Sequence, residues 1–376
     1  MHDKHTRAYF SFVASSRWFA TRMDVLSFVL MSTASIFAVV FNDQQWFDID
    51  PALLGVALTI LLQIAGTNFP WIVRQSAEIV NQMVSVERVL EFGKIESEAP
   101  LTLPADVDRL EGGWPSQGHI AVKNLTVRYR PSLPLALDHV SFSIPAGSRV
   151  GIVGRTGSGK STIVQTLFRL LEAENGSICI DGVDISTVGL HQLRENISVL
   201  PQSPTLFSDC SIRENLDLFG MHKDQALLEA LDEVQLGHVI GDLPDGLDSF
   251  VSHAGSNFSV GQRQLLCLAR ASLKKNKILV LDEATASVDK ETDKLLQEAL
   301  DRANKDVTVV AIAHRLDTII DFDYVLVLGE GEVLEYGSPA ELLNLKGAFS
   351  KMVQDTGDVI SKKLHKRALD KKEGLL

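Results

Sequence analysis

Two uncharged apolar stretches dominate the first part of the chain, residues 25–41 and 52–73. The second is long enough to cross a bilayer as a helix, and the first, about 17 residues, sits at the short limit. Residues 42–51 between them carry Asp43, Asp48 and Asp50 and no lysine or arginine. The flanks are basic, with Lys4, Arg7, Arg17 and Arg22 before the pair and Arg74, Arg88 and Lys94 after it. This asymmetry predicts a transmembrane hairpin over 25–94 with both ends in the cytoplasm and the acidic loop outside. Two buried core helices of a soluble domain would be equally apolar, but they would not place every charge outside two adjacent stretches. Trp46 and Trp71 fall where interface anchors are expected, and Pro70 is positioned to kink the second helix. Residues 1–24 lack the early apolar core and small-residue cleavage site of a secretory signal. They read as a cytoplasmic loop or helix of a membrane domain.

Beyond the hairpin the pattern changes. Ile79, Met83, Val86, Val89 and Leu90 recur at helical spacing, so residues 74–94 continue as a helix into the cytoplasm. Pro100, Pro104, Pro115, Gly112 and Gly113 mark 95–115 as a linker. Residues 116–357 alternate strand-like and helix-like runs, the pattern of an α/β domain. The basic tail 358–376 reads as a solvated helix or a disordered end, with contact to anionic lipid as the sharper alternative.

The net charge of −12 argues against general affinity for nucleic acid, so any phosphate site has to be local. Cys179, Cys210 and Cys267 form no paired motif and no metal-like spacing. They are expected to be small buried hydrophobes in a reducing cytosol.

Such a local site is present. Residues 148–153 read as a buried strand and run into Gly154, Arg155, Thr156, Gly157, Ser158, Gly159, Lys160, Ser161 and Thr162, after which 163–171 is helical. Strand, glycine-rich turn and helix are the setting in which this spacing cradles phosphate. The glycines let backbone N–H groups converge, the helix N-terminus adds partial positive charge, Lys160 reaches the β- and γ-phosphates, and the Ser161 hydroxyl ligates Mg2+. Residues 277–282 form a near-continuous apolar run ending in Asp282, as in a parallel strand buried on both faces. Asp282 would emerge at the ligand edge of the sheet and hold Mg2+. Glu283 follows it and is placed to polarise an attacking water.

Asn257, Phe258, Ser259, Val260, Gly261, Gln262, Arg263 and Gln264 resemble the LSGGQ signature of ABC ATPases, and they precede the acidic strand as that family requires. The family resemblance then assigns further positions. Gln202 matches the Q-loop glutamine that touches Mg2+ and the attacking water. His314 matches the switch histidine, Asp289 the D-loop, and Tyr129 the aromatic that stacks on adenine. Over roughly residues 6–357 the chain is most similar to subfamily C, the multidrug-resistance-associated proteins, in their second nucleotide-binding domain. The carrying stretches are 151–157, 258–270 and 335–339, with Arg17 and Trp18 before the first apolar stretch and Val86, Glu87, Arg88 and Val89 after the second. Val260 is usual at its position. Phe258 departs mildly from the usual leucine, and His253 stands where the family generally has a glutamate that aids coupling.

The resemblance implies an α/β P-loop ATPase domain with an antiparallel β subdomain and an α-helical signature subdomain, preceded by an all-α transmembrane hairpin. It implies ATP and Mg2+ as cofactors, with Lys160, Gln202, Glu283 and His314 catalytic and Ser161, Gln202 and Asp282 at the metal. Tyr129, Gly154, Thr156, Gly157, Ser158, Gly159, Lys160, Ser161 and Thr162 would hold the nucleotide. Ser259, Gly261 and Gln262 would serve the ATP held by a partner nucleotide-binding domain, so the chain alone is expected to bind ATP and hydrolyse it poorly. Two spanning helices cannot enclose a path, which points to a C-terminal fragment or a truncated gene product working with the rest of a membrane domain. The implied protein is integral to a plasma or vacuolar-type membrane, contacts lipid, keeps its nucleotide-binding domain in the cytoplasm and binds no nucleic acid. Trp71 and Arg74 match positions that contact anionic conjugates in relatives, although an interface anchor and a snorkelling cation explain them equally well. The expected activity is ATP-driven export of organic anions or conjugates. The subfamily also contains ATP-gated regulatory and channel-type members, in which binding rather than turnover drives the switch. The hydrophobic hairpin disfavours a soluble ABC ATPase of translation or DNA repair.

Overall fold

The computed structural model describes residues 2–43, 50–63, 69–106, 112–282, 295, 297–298, 306–313 and 315–372. The chain forms two compact units, Met1–Glu98 and Ala99–Leu376.

The first unit is helical. A single helix, α1, runs His2–Asp43, followed by α2, Pro51–Gln63, and α3, Phe69–Gly93; α1 touches both. The predicted first span is therefore the second half of a much longer helix. Its stretch Thr6–Phe41 is long and apolar enough to cross a membrane by length and composition. At 1.5 Å per residue it covers about 54 Å, so it exceeds a hydrocarbon core of ~30 Å. Phe28, Leu30, Ile36, Phe37 and Val39 are each more than half exposed, an apolar surface that suits lipid rather than water. The hydroxyls turn inward on their own helices. Thr33 Oγ1 donates to the Val29 carbonyl at 2.7 Å and Thr59 Oγ1 to the Gly55 carbonyl at 2.8 Å. Such bonds keep polar atoms satisfied where water is scarce. The second predicted stretch is seen as α2 and the start of α3. Residues 64–68 between them and 44–49 of the acidic loop lie outside the described residues, and Pro70, where the kink is expected, falls in the first turn of α3.

The second unit is built on two sheets. Strands β1 (Ile120–Val127), β2 (Leu137–Ile144), β4 (Asn175–Ile180) and β5 (Val183–Asp184) form an antiparallel sheet in the order β2-β1-β4-β5. The other sheet has the order β10-β9-β3-β8-β7-β6, made of β3 (Arg149–Gly154), β6 (Ile197–Leu200), β7 (Ile278–Asp282), β8 (Thr308–Ile312), β9 (Tyr324–Gly329) and β10 (Glu332–Gly337). All its pairs are parallel except β9 with β10. Ile278 to Leu281 of β7 and all of β8 are buried, the unbroken apolar run that a strand covered on both faces needs. Thr308, fully buried, ties the sheets together. Its Oγ1 accepts from the Gly147 N–H at 2.9 Å and donates to the Gly118 carbonyl at 2.8 Å.

The β4–β5 hairpin turns at Asp181 and Gly182, both with positive φ (49° and 80°), the geometry of a primed two-residue turn. The Asp181 carboxylate reaches back to the chain entering β1. It accepts from the N–H groups of Ser116, Gln117, Gly118 and His119 at 2.8–3.1 Å. Burial alone would raise this carboxyl, but the donors of Gln117, Gly118, His119 and Ser116 outweigh it and hold its pKa below the ordinary aspartate value.

Helices α4 (Lys160–Leu167), α5 (Asp224–Glu233) and α6 (Val260–Leu273) bear on the site; α5 and α6 pack together in a helical layer. The C-terminal end holds α7 (Pro339–Leu345), α8 (Ala348–Gln354) and α9 (Asp358–Lys372). The basic tail, expected as a solvated helix or a disordered end, is a helix, packed on α7 and α8 rather than solvated all round. Leu364 and Ala368, four residues apart on one face, are buried, while Arg367 pairs with Asp321 and Lys371 with Asp323 at 2.9 Å. Part of the proline- and glycine-rich segment 95–115, expected as a linker, packs within the second unit. The second unit begins at Ala99, and Trp114 is buried with its indole N–H donating to the Ile180 carbonyl at 3.0 Å.

Candidate nucleotide-binding site

Strand β3 delivers the chain to Gly154, and α4 begins at Lys160. The turn between them is compressed. A Cβ at Gly154 would lie 2.4 Å from the Leu328 carbonyl oxygen, and one at Gly159 would lie 2.6 Å from Leu137 Cδ2 and 2.8 Å from the Ala136 carbonyl oxygen. Gly159 also caps α4 with φ of 100°, which a side chain rarely adopts. Lys160 is 6% exposed, and its Nζ donates to the carbonyls of Gly154 at 2.9 Å and Arg155 at 3.1 Å. The Ser158 hydroxyl is buried with no hydrogen-bond partner among the described residues. A buried cation at a helix N-terminus, beside a buried hydroxyl with unmet hydrogen-bonding capacity, fits a phosphate group.

Thr162 lies buried on α4, and Ser161 beside it is exposed. The Tyr129 hydroxyl donates to Gln165 Oε1 at 3.0 Å and so accepts from Thr162 Oγ1 at 3.1 Å. Its ring is half exposed, available to stack on a base. Gln165 was not singled out from sequence. Its position three residues after Thr162 on one helix face was the signal that could have found it.

Parallel pairing brings Asp282 and the end of the strand that precedes Gln202 to the same sheet edge. Asp282 ends β7 opposite Ile312, and Leu200 of β6 pairs with Leu281, which places Gln202 two residues beyond the strand. Glu283, Asp289 and His314 lie outside the described residues. Asp282 and Ala313, which precede Glu283 and His314 in the chain, stand at the ends of the adjacent strands β7 and β8, and the Ala313 N–H donates to the Ile152 carbonyl at 3.2 Å. A cavity of about 540 Å3 adjoins the edge, with Ser161, Gln165, Pro201, Arg270 and Asp282 among its lining residues. Cys267, also in its wall, is buried, and burial pushes its thiol pKa up. Cys179 and Cys210 are only partly buried, short of the expectation from sequence.

The signature residues stand apart from this cavity. Ser259 caps α6, with the Gln262 N–H donating to Ser259 Oγ at 3.1 Å and the Ser259 N–H to Gln262 Oε1 at 2.9 Å. Gly261 is buried, and Phe258, in place of the usual leucine, is buried in the apolar core. Ser259, Gly261 and Gln262 do not line the cavity that Ser161, Gln165 and Asp282 line. His253 is exposed in a short turn before the signature.

A sequence-family profile described as ABC transporter matches residues 137–286, which run from β2 through the glycine loop, the signature and β7. The chain is 45% identical over 356 residues to ATP-binding cassette sub-family C member 4 of Homo sapiens, covering 94% of this chain and 26% of that protein. The chain carries an ABC transporter domain. Its subfamily C relatives include sub-family C member 2 of Homo sapiens (44% identity, 94% of this chain, 22% of the relative) and ABC transporter C family member 3 of Arabidopsis thaliana (44%, 94% and 23%). The chain thus spans about a quarter of the length of the curated relatives it matches, and the likeness fits the C-terminal part of a subfamily C transporter. Among solved structures it is similar to a bacterial Atm1-family ABC exporter with ATP bound. That match has 27% identity and a TM-score of 0.69, covering 95% of this chain and 61% of that one. The ABC transporter domain is one that binds ATP and belongs to ATPases coupled to transport.

Proposed function

We propose that this chain binds ATP with Mg2+ at the Lys160 loop and hydrolyses it, as the ATP-driven part of an exporter of organic anions such as glutathione conjugates. The observation that carries this is the buried Lys160 ammonium, held among loop carbonyls at the N-terminus of α4, with Asp282 at the same sheet edge. Thr156, Gly157, Ser158, Gly159 and Thr162 hold the phosphates with Lys160, and Tyr129 meets the base. Ser161, Gln202 and Asp282 would hold the Mg2+ ion, which when bound neutralises charge on the β- and γ-oxygens. Glu283 accepts a proton from the attacking water, and His314 contacts the γ-phosphate. Ser259, Gly261 and Gln262 complete the site of a partner domain, a reading supported by their absence from the walls of the cavity at Ser161 and Asp282. The α1–α3 hairpin lies in lipid with the remainder of a membrane domain, the nucleotide-binding unit is cytoplasmic, and Trp71 and Arg74 meet the anionic cargo.

The purified chain is expected to bind ATP only with Mg2+, and Lys160→Ala is expected to abolish that binding while the thermal midpoint holds. Binding that survives Lys160→Ala, or that ignores Mg2+, overturns the reading. For the cargo, vesicles carrying the assembled transporter should take up anionic conjugates with ATP, and uptake of neutral compounds alone would refute the anion assignment.

A further inference from the structure

The chain that follows α3, expected from its composition as a linker, fastens to the second unit. Residues 99–106 lie along the start of the helix Leu190–Glu195, whose cap, Gly189, has no side chain to satisfy the first N–H groups. The incoming strap supplies the acceptors. The Gly189 N–H donates to Asp106 Oδ1 at 3.1 Å, the Leu190 N–H to the Pro100 carbonyl at 3.2 Å, and the His191 N–H to the Leu101 carbonyl at 2.9 Å. Asp106 Oδ2 accepts from the Leu103 N–H at 2.6 Å, so the same carboxylate folds the strap and fastens it. Asp106 is 6% exposed, and a buried carboxylate persists only where such donors hold it. The fit is steric as well. A Cβ at Gly189 would lie 2.2 Å from Asp106 Oδ2, 2.8 Å from the Leu101 carbonyl oxygen and 2.9 Å from Thr102 Cα. Gly189 itself has φ −63° and ψ 144°, which any residue adopts, so it is the strap that demands glycine there.

The helix leads directly to the candidate site. Asn196 alone separates it from β6, which ends at Leu200 and is followed by Pro201 and Gln202. Strand β6 is the edge of its sheet and pairs with β7 alone among the described residues, at a register that sets Leu200 against Leu281 beside Asp282. A displacement of the helix start therefore passes into β6 and moves Gln202 relative to Asp282. We propose that Asp106 is a positioning residue for ATP hydrolysis: it ties the chain arriving from the N-terminal helices to the helix–strand element that carries Gln202. This rests on the MgATP reading above and adds to it the route by which the membrane helices set the hydrolysis rate.

The test uses Asp106→Ala and Gly189→Ala in the transporter assembled in lipid, with kcat and KM for ATP, the thermal midpoint, and amide hydrogen exchange at 189–191 and 197–202. The Gly189 variant pushes the strap away without altering any charge. In both, exchange at 189–191 is expected to accelerate and kcat to fall about tenfold, while KM and ATP affinity stay within about twofold. Wild-type kcat in both variants, or a fall in kcat matched by an equal fall in ATP affinity, overturns the strap while leaving the ATPase reading intact. Absence of MgATP binding in the unaltered chain overturns both.

Discussion

The ammonium group of Lys160 lies 2.9 Å from the carbonyl oxygen of Gly154, the residue that opens the loop Lys160 closes. The two ends of the turn are thereby drawn together, with the cation inside rather than in water. The start of α4 is consequently sensitive to any shift of Gly159. Gly159→Ala meets Leu137 and the Ala136 carbonyl and carries the penalty of φ 100°. It is expected to destabilise the unit by about 1–2 kcal/mol and to weaken MgATP affinity about tenfold or more, since a charge-assisted hydrogen bond is worth about 1.5–3 kcal/mol. Isothermal titration beside a denaturation curve reads both.

Glu283→Gln keeps the size of the side chain and removes its basicity. Hydrolysis in the assembled transporter is expected to fall about 100-fold or more while ATP remains bound, measured as nucleotide retained after rapid filtration. An exporter then stops transporting. A subfamily member of the ATP-gated kind would stay active with its bound ATP, so the same variant separates the two modes of action.

Asp181 gives a pH prediction. Its folded-state pKa is lowered, so the stability it contributes is fully present above the unfolded value of about 3.9 and is lost as pH falls through the lower folded value. Asp181→Asn should therefore be less stable than the parent by a constant margin at neutral pH. That margin should shrink only below about pH 4, as chemical denaturation at a series of pH values will show.

Helix α9 is held by an apolar contact and by charge pairs, and their magnitudes differ. Leu364→Ala removes a fully buried side chain and should cost about 2–3 kcal/mol. Arg367→Ala opens a partly exposed pair with Asp321 and should cost no more than about 1 kcal/mol, less at high salt. Limited proteolysis after residue 357 and thermal melts in low and high salt will rank the two.

The glycine turn, the buried strand ending at Asp282 and the signature run 257–264 were legible in the chain because each is contiguous. Their residue types, a few positions apart, specify the local backbone whatever surrounds them. The apolar stretch of α1 was legible for the same reason, though not the length of the helix, since in residues 2–24 the charges of Lys4, Arg7, Arg17, Arg22 and Asp24 interrupt the apolar residues. The parallel register that brings Gln202 and Asp282 to one edge followed from neither segment alone, because strand pairing joins residues far apart in sequence. The strap at Gly189, the Asp181 clamp, the Thr308 tie between sheets and the docking of α9 likewise belong to the tertiary structure. In the first three, a polar or small residue unremarkable among its sequence neighbours acquires its role from distant groups that folding places within hydrogen-bond reach, and in α9 Leu364 and Ala368 find their apolar partners in the same way.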